Sequence, residues 1–374
     1  MSRFYDLMTG SVRALTGDTH DVPAPNDSTG APTKIKLDAN ESPYGPSPRA
    51  LAAIRATVGH SHKYPDDRTT ELTERLAKKH GVDQAQILVG PGSTALLSVI
   101  ARTMLEPGLK AVTSERSFIV YRYSTRAAGA ELVEVPMRDD TVDPHGILEA
   151  IDEGTRVVFL ANPNNPTGTF LDANSIDGLV ARIPTHVVVV LDEAYYDYAH
   201  FFANARRVPH PDSLRYVREA RNVVVLRTFS KAHGLAALRV GYGIGPAELM
   251  SYFANMQDAF AVSTVAQAAA AAALDDEPHV QHALQQNAAQ AEWLETELTN
   301  MGFHVLPTWA NFLYCDLGQD CEAIALRLHD EGISIRPLAA WGALTAARIT
   351  IGTVEQNRAL ISSLRRGMSQ SAGR

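Results

Sequence analysis

The stretch LRTFSKAHGLAALRVGYGIG (Leu226–Gly245) holds a single lysine, Lys231, among small and apolar neighbours. An amine in such a partly desolvated place has a lowered pKa, and a neutral amine attacks carbonyls. Thr228 and Ser230 flank it with hydroxyls. Arg239, eight residues on, offers a planar fork of N–H donors suited to phosphate. The competing reading is a lysine on a surface loop, and the small neighbours weigh against it. In a second stretch, VVVVLDEAYYDY, Asp192 ends the apolar run, with Tyr195 and Asp197 following it. A carboxylate ending a β-branched run is at least partly buried and needs a cation or a donor; the plainer reading is a cap on the next turn. In GPGSTALL, Gly90 and Gly92 permit a tight turn and Ser93 and Thr94 open a helix, where free N–H groups and the helix dipole favour an anion. By itself that stretch reads equally as a helix start with no ligand. In NPNNPTG, Asn165 precedes Pro166, so its backbone is held extended and its amide is aimed; an ordinary Pro/Gly loop is the alternative.

These stretches share one context. Each follows a short, continuous apolar run, at Gln86–Val89, Arg156–Leu160, His186–Leu191 and Asn222–Leu226; further runs lie at Ala111–Thr113 and Arg239–Ile244. Continuous rather than alternating runs predict strands covered on both faces. Helical stretches such as Ser93–Leu105 and Ala247–Ala259 lie between them, which predicts an α/β fold with a mainly parallel sheet. In such sheets ligands sit at the carboxyl ends of the strands, where these residues fall. From near residue 280 the pattern changes to helix (His279–Asn300), strand (Ala310–Cys315), helix (Cys321–Asp330), strand (Ile333–Arg336), strand (Arg348–Ile351) and helix (Val354–Arg366), a smaller α+β domain. The expected division is an arm at 1–45, a large α/β domain at 46–275 and a small domain at 276–374. Within the arm, DVPAPNDSTGAPTK (Asp21–Lys34) has the composition of a loop. The alanine-rich AQAAAAAAL reads as a helix in a tight interface.

The chain has 374 residues, of which 45 % are hydrophobic and 20 % charged, enough for a sizeable core. A net charge of −8 gives no sign of a nucleic-acid or anionic-membrane binder. The two cysteines, Cys315 and Cys321, lack metal-ligand spacing and suit a reducing compartment, so a cytoplasmic location is expected. No apolar run reaches membrane-spanning length and no secretory h-region opens the chain. His60 and His62 in GHSHKY have no carboxylate or cysteine beside them, and no metal is expected.

Taken together, the four stretches supply what pyridoxal 5'-phosphate needs: a lysine for covalent attachment, a carboxylate for the pyridinium nitrogen, donors for the ring oxygen and a phosphate cup. The chain also resembles the aspartate-aminotransferase superfamily (fold type I) and, within it, the histidinol-phosphate aminotransferases. The matching segments, in family order, are LDANESPYGPSP, KYPD, GPGSTALL, NPNNPTG, LDEAYYDY, RTFSKAHGLAALRVGYGIG and ARITIGT. The resemblance implies a covalent anchor and proton-shift base at Lys231, with Asp192 on the ring nitrogen. Tyr195 and Asn165 would serve the ring oxygen. Ser93, Thr94, Thr228, Ser230 and Arg239 would hold the phosphate. Tyr64 would reach the neighbouring subunit's phosphate, implying a homodimer with shared sites. Phe118 would stack on the ring or else be a plain core residue. Arg348 would clamp the substrate's anion, with Arg336 either assisting or simply ending a strand. Asn40 would lie at the site mouth. The implied reaction is ping-pong transamination between an amino donor and an oxo compound.

Several positions depart from the histidinol-phosphate pattern. Ser93-Thr94-Ala95 replaces Ser-Asp-Glu, the arm lacks a Tyr-x-Pro-Gly opening, Trp341 stands where a Tyr-Gly pair is usual, and the Asn-Glu-Asn signature reads Asn40-Glu41-Ser42. Three readings therefore stand: transamination of histidinol phosphate with glutamate and 2-oxoglutarate as the other pair; transamination of aromatic or other amino acids, including in secondary metabolism; or, from other classes, a pyridoxal-phosphate decarboxylase or a cofactor-binding regulator without turnover.

Overall fold

The long apolar runs become strands because their β-branched side chains fill the pleat on both faces at once. The computed structural model describes residues 4–15 and 35–371. The strands are β1 (Ile35–Lys36), β2 (Ile87–Gly90), β3 (Lys110–Ser114), β4 (Glu131–Val135), β5 (Thr155–Ala161), β6 (Val188–Asp192), β7 (Val223–Thr228), β8 (Gly241–Ile244), β9 (His304–Val305), β10 (Phe312–Asp316), β11 (Ile333–Ser334), β12 (Arg336–Leu338) and β13 (Ala343–Thr350). Seven of them form one sheet in the order β2-β8-β7-β6-β5-β3-β4. All its pairings are parallel except the two that β8 makes. Strands β5, β6 and β7 are buried along almost their whole length. Each fully buried Val or Leu there contributes about 1.5–3 kcal/mol.

This order places the polar residues. Strands β2, β5, β6 and β7 end at one edge of the sheet, delivering Ser93, Asn165, Asp192 and Lys231 to it. Strand β8 runs the other way, so its entry residue Arg239 lies at that same edge. The fold is therefore the expected α/β fold type I arrangement, with a mostly parallel sheet covered by helices.

A second sheet, β12-β13-β10-β9, is antiparallel. It is joined to a separate core containing Leu37, Phe312, Leu313, Ile349 and the helices Glu277–Asn300 and Val354–Ser371. The segment leading out of the N-terminal arm belongs with this core: β1 pairs in parallel with β11, and Thr350 N–H donates to the Leu37 carbonyl.

Several boundaries differ from the sequence reading. The expected strand Ile333–Arg336 is two elements, β11 pairing with β1 and β12 pairing with β13. The chain changes partner at Ile335, which a run of apolar residues does not reveal. Arg239 does not start a strand; it sits in the left-handed region at φ 50°, and β8 begins two residues later. Strand β4 was absent from the expectation because it is an edge strand whose exposed glutamates break the apolar run. The arm is not wholly irregular, since Tyr5–Leu7 and Gly10–Leu15 are helical turns. The loop expected at 21–34 lies outside the described residues. The alanine-rich run forms the helix Thr264–Ala273, capped by Ser263, which packs against the helix Pro48–Thr57. Ala266, Ala269, Ala270 and Ala273 are buried there, their small side chains allowing close approach.

Candidate active site

A cleft of about 400 Å³ opens at the strand-end edge. It is lined by Ser93, Thr94, Phe118, Asn165, Asp192, Tyr195, Thr228, Ser230, Lys231, Arg239, Asn40 and Arg348, with Ala39, Glu41 and small residues between them. Twelve of the fourteen residues singled out from the sequence thus share one cavity. Tyr64 and Arg336 do not line it.

One end of the cleft is built to take an anion. The helix Ser93–Met104 starts after Gly92 with no side chain capping its first N–H groups, so its positive end faces the cavity. Arg239 donates to the Ser230 hydroxyl at 3.3 Å and the Ala236 carbonyl at 3.0 Å, while Thr228 donates to Ser230 at 2.9 Å. Glycine is required twice here. A Cβ on Gly92, whose φ is +86°, would lie 2.6 Å from Arg239 Nη2, and one on Gly241 would lie 2.6 Å from the Ser93 nitrogen. Backbone and guanidinium therefore close around a space that larger side chains would fill.

Asp192 lies deeper, 4 % exposed. Burial raises its pKa to about 6, against the pull of the Tyr121 hydroxyl, which donates to Oδ2 at 3.0 Å, and of the Ala194 N–H, which donates to Oδ1 at 3.2 Å. The sequence reading did not name Tyr121, which the structure places on Asp192; the cue was a second aromatic three residues after Phe118, in the first turn of the helix Val120–Ala127. Phe118 lines the cleft and meets Tyr121 edge-on, at 5.7 Å between ring centroids. Behind Asp192, the buried pair Arg227–Glu193 ties the ends of β7 and β6 together through two contacts of 2.9 and 2.8 Å, and Ser213 donates to the same carboxylate.

Lys231 stands on the floor of the cleft, its Nζ 3.2 Å from the Ala39 carbonyl. Burial lowers its pKa to about 7, and Arg348 and Arg239 add to this against Glu41 and Asp192. An amine expected to be fully charged at neutral pH is thus neutral in about half of the molecules there, and in that form it is a base or nucleophile. Asn40, in the left-handed region at φ 55°, donates from Nδ2 to the Tyr195 hydroxyl at 2.8 Å. The Tyr195 oxygen is the acceptor in that bond, so its own proton remains to be donated into the cleft.

Arg348 forms the other end. Burial pulls its pKa down to about 10. Nη1 donates to Asn165 Oδ1 at 2.7 Å and Nη2 to the Asp38 carbonyl at 2.7 Å. Since arginine can only donate, Asn165 must present its oxygen to Arg348, which turns its NH₂ elsewhere. Arg348 Nε is buried with no hydrogen-bond partner. Arg336 is its cross-strand partner on β12 and lies just outside the cleft. Tyr64 is 82 % exposed, stacks on Phe260 at 4.6 Å and does not line this cleft.

The residues fit pyridoxal phosphate. There is a basic, uncapped cradle for its phosphate, a buried carboxylate for a cationic ring nitrogen, two aimed donors (Asn165 and Tyr195) for a ring oxygen, and a depressed lysine for its aldehyde. The orphaned Arg348 Nε leaves donor capacity for a second anion.

Comparison with known proteins agrees with the geometry. The family model for aminotransferase class I and II matches residues 32–364. Histidinol-phosphate aminotransferase 2 of Pseudomonas fluorescens is 40 % identical over 91 % of this chain and 90 % of its own length. Histidinol-phosphate aminotransferase of Geobacillus thermodenitrificans is 41 % identical over 86 % of this chain and 87 % of its own. The crystal structure of histidinol-phosphate aminotransferase from Sinorhizobium meliloti in complex with pyridoxal-5'-phosphate superposes with a TM-score of 0.87, at 31 % identity, covering 97 % of both chains.

Proposed function

This chain belongs to the aminotransferase class I and II family, and on that premise we propose that it transaminates histidinol phosphate, with glutamate and 2-oxoglutarate as the other pair. The observation that carries the reading is the depressed Lys231 amine in one cleft with a buried carboxylate, an anion cradle and a second cationic end. The similarity to relatives of that name over about nine-tenths of the chain supports the choice of substrate.

Bound pyridoxal phosphate supplies an electron sink that stabilises negative charge at the substrate carbon. Ser93, Thr94, Thr228, Ser230 and Arg239 hold its phosphate. Asp192 keeps a proton on the ring nitrogen by presenting a carboxylate that burial and Tyr121 aim at one point. Asn165 and Tyr195 donate to the ring oxygen. Lys231, once free, removes and returns the proton, and its depressed pKa matches that task near neutral pH. Arg348, with Arg336 beside it, receives the substrate's anionic group, and Asn40 keeps Tyr195 in place.

Tyr64 serves the cleft of a second copy in a homodimer, a role supported by its exposure and its absence from the lining of its own cleft. The three-part division at about residues 45 and 275 and a cytoplasmic location complete the proposal. No helix among the described residues is long and apolar enough to cross a membrane.

The test is spectroscopic. The purified protein with pyridoxal phosphate absorbs as a yellow species. Histidinol phosphate bleaches that band and 2-oxoglutarate restores it. A panel that also includes phenylalanine and tyrosine decides the substrate, and no reaction with histidinol phosphate sinks the choice.

A further inference from the structure

Trp341 departs from the family pattern and has no role in the site described above. It ends the short turn Ala339–Trp341 between β12, which carries Arg336, and β13, which carries Arg348; Gly342, at φ 77°, turns the chain into β13. The apolar part of its ring is packed in the small sheet's own cluster with Leu306, Tyr314, Leu338 and Ala346. Its indole N–H leaves that cluster and donates to the Ser117 carbonyl at 2.8 Å.

Ser117 immediately precedes Phe118, the aromatic wall of the cleft, and it is held from the other side as well. The Ser117 hydroxyl donates to Asn164 Oδ1 at 2.7 Å, and Asn164 Nδ2 donates to the Arg116 carbonyl at 3.0 Å. Asn164 is the neighbour of Asn165, which meets Arg348. The loop before Phe118 is therefore clamped between the strand end that carries Asn165 and the turn that leads into the strand of Arg348. Beyond Phe118, the helix Val120–Ala127 carries Tyr121, which holds Asp192.

We infer that Trp341 is a positioning residue for Phe118, fixing the ring wall of the cleft at a set distance from the hairpin that bears Arg336 and Arg348. The indole is suited to the task. It is anchored by apolar packing at one end and presents a single fixed donor at the other. The inference rests on the cofactor reading given above, since Phe118 matters only if a flat ring lies against it.

The test is a double-mutant cycle on pyridoxal phosphate binding. Trp341→Phe keeps an aromatic ring and removes the N–H; Phe118→Leu removes the wall. The dissociation constant and the release rate of the cofactor are measured for the wild type, both single variants and the double variant, with thermal unfolding alongside. Loss of one hydrogen bond predicts cofactor binding weakened by about 2- to 10-fold in Trp341→Phe. It also predicts a much smaller effect of the same change in the Phe118→Leu background. Equal effects in both backgrounds, no effect on the cofactor, or a fall in the melting temperature without change in cofactor binding would each overturn the inference. A wild-type chain that takes up no pyridoxal phosphate would instead refute the cofactor reading, and this inference with it.

Discussion

Tyr121→Phe isolates one atom of the site. Tyr121 is fully buried, its ring parallel to Phe159 at 5.1 Å between centroids and edge-on to Phe118. Phenylalanine keeps both ring contacts and removes only the hydroxyl that donates to Asp192 at 3.0 Å. A hydrogen bond to a charged group is worth about 1.5–3 kcal/mol. At about 1.4 kcal/mol per pH unit, its loss raises the Asp192 midpoint, now about 6, by about one to two pH units. A cationic ring nitrogen needs Asp192 ionised, so cofactor affinity should rise as pH climbs through about 6 in the wild type and only at correspondingly higher pH in Tyr121→Phe. The sign is opposite in stability. The folded Asp192 pKa lies above the unfolded value of 3.8, so between 3.8 and about 6 the folded chain binds more protons than the unfolded one. Stability therefore falls as pH rises across that window, and the variant extends the fall upward. The assay is a cofactor titration at half-unit intervals from pH 5 to 9 for both proteins. Superimposable curves would show that the Tyr121 hydroxyl does not set the state of Asp192.

Two further changes test the ends of the cleft. Arg348→Lys keeps a positive charge but loses the fork that spans Asn165 and the Asp38 carbonyl, so KM for the anionic substrate should rise by about 10- to 100-fold, with a smaller change in cofactor affinity; steady-state kinetics with a parallel cofactor titration checks both. Gly92→Ala places a methyl group 2.6 Å from Arg239 Nη2 at a φ that alanine resists, so inorganic phosphate and pyridoxal phosphate should both bind at least about tenfold more weakly, by calorimetry, while the fold survives by circular dichroism.

The central sheet was legible because continuous β-branched runs ending in Gly, Asn, Asp or Ser leave little choice of fold or of edge. Lys231, Asp192 and Arg239 were legible for a related reason: each is a charged residue where the surrounding pattern calls for an apolar or small one. Tyr121 was not, because its partner Asp192 lies 71 residues away and only the β3-to-β6 geometry joins them. The split between β11 and β12 was hidden because pairing partners, not residue types, distinguish the two strands. The Trp341 contact was hidden in the same way: the sequence marked the residue as unusual, but its bond to Ser117 spans 224 positions. Tyr64, named from its motif, is exposed and does not line the cleft of its own chain.

The central claim is that Lys231 carries the cofactor. Loading the protein with pyridoxal phosphate, reducing it with borohydride and mapping the label by peptide mass spectrometry tests it directly. The account predicts one pyridoxyl group per chain, on Lys231, and none in Lys231→Ala, which should also fail to turn over. Label on another lysine, or repeated turnover by Lys231→Ala, would contradict it.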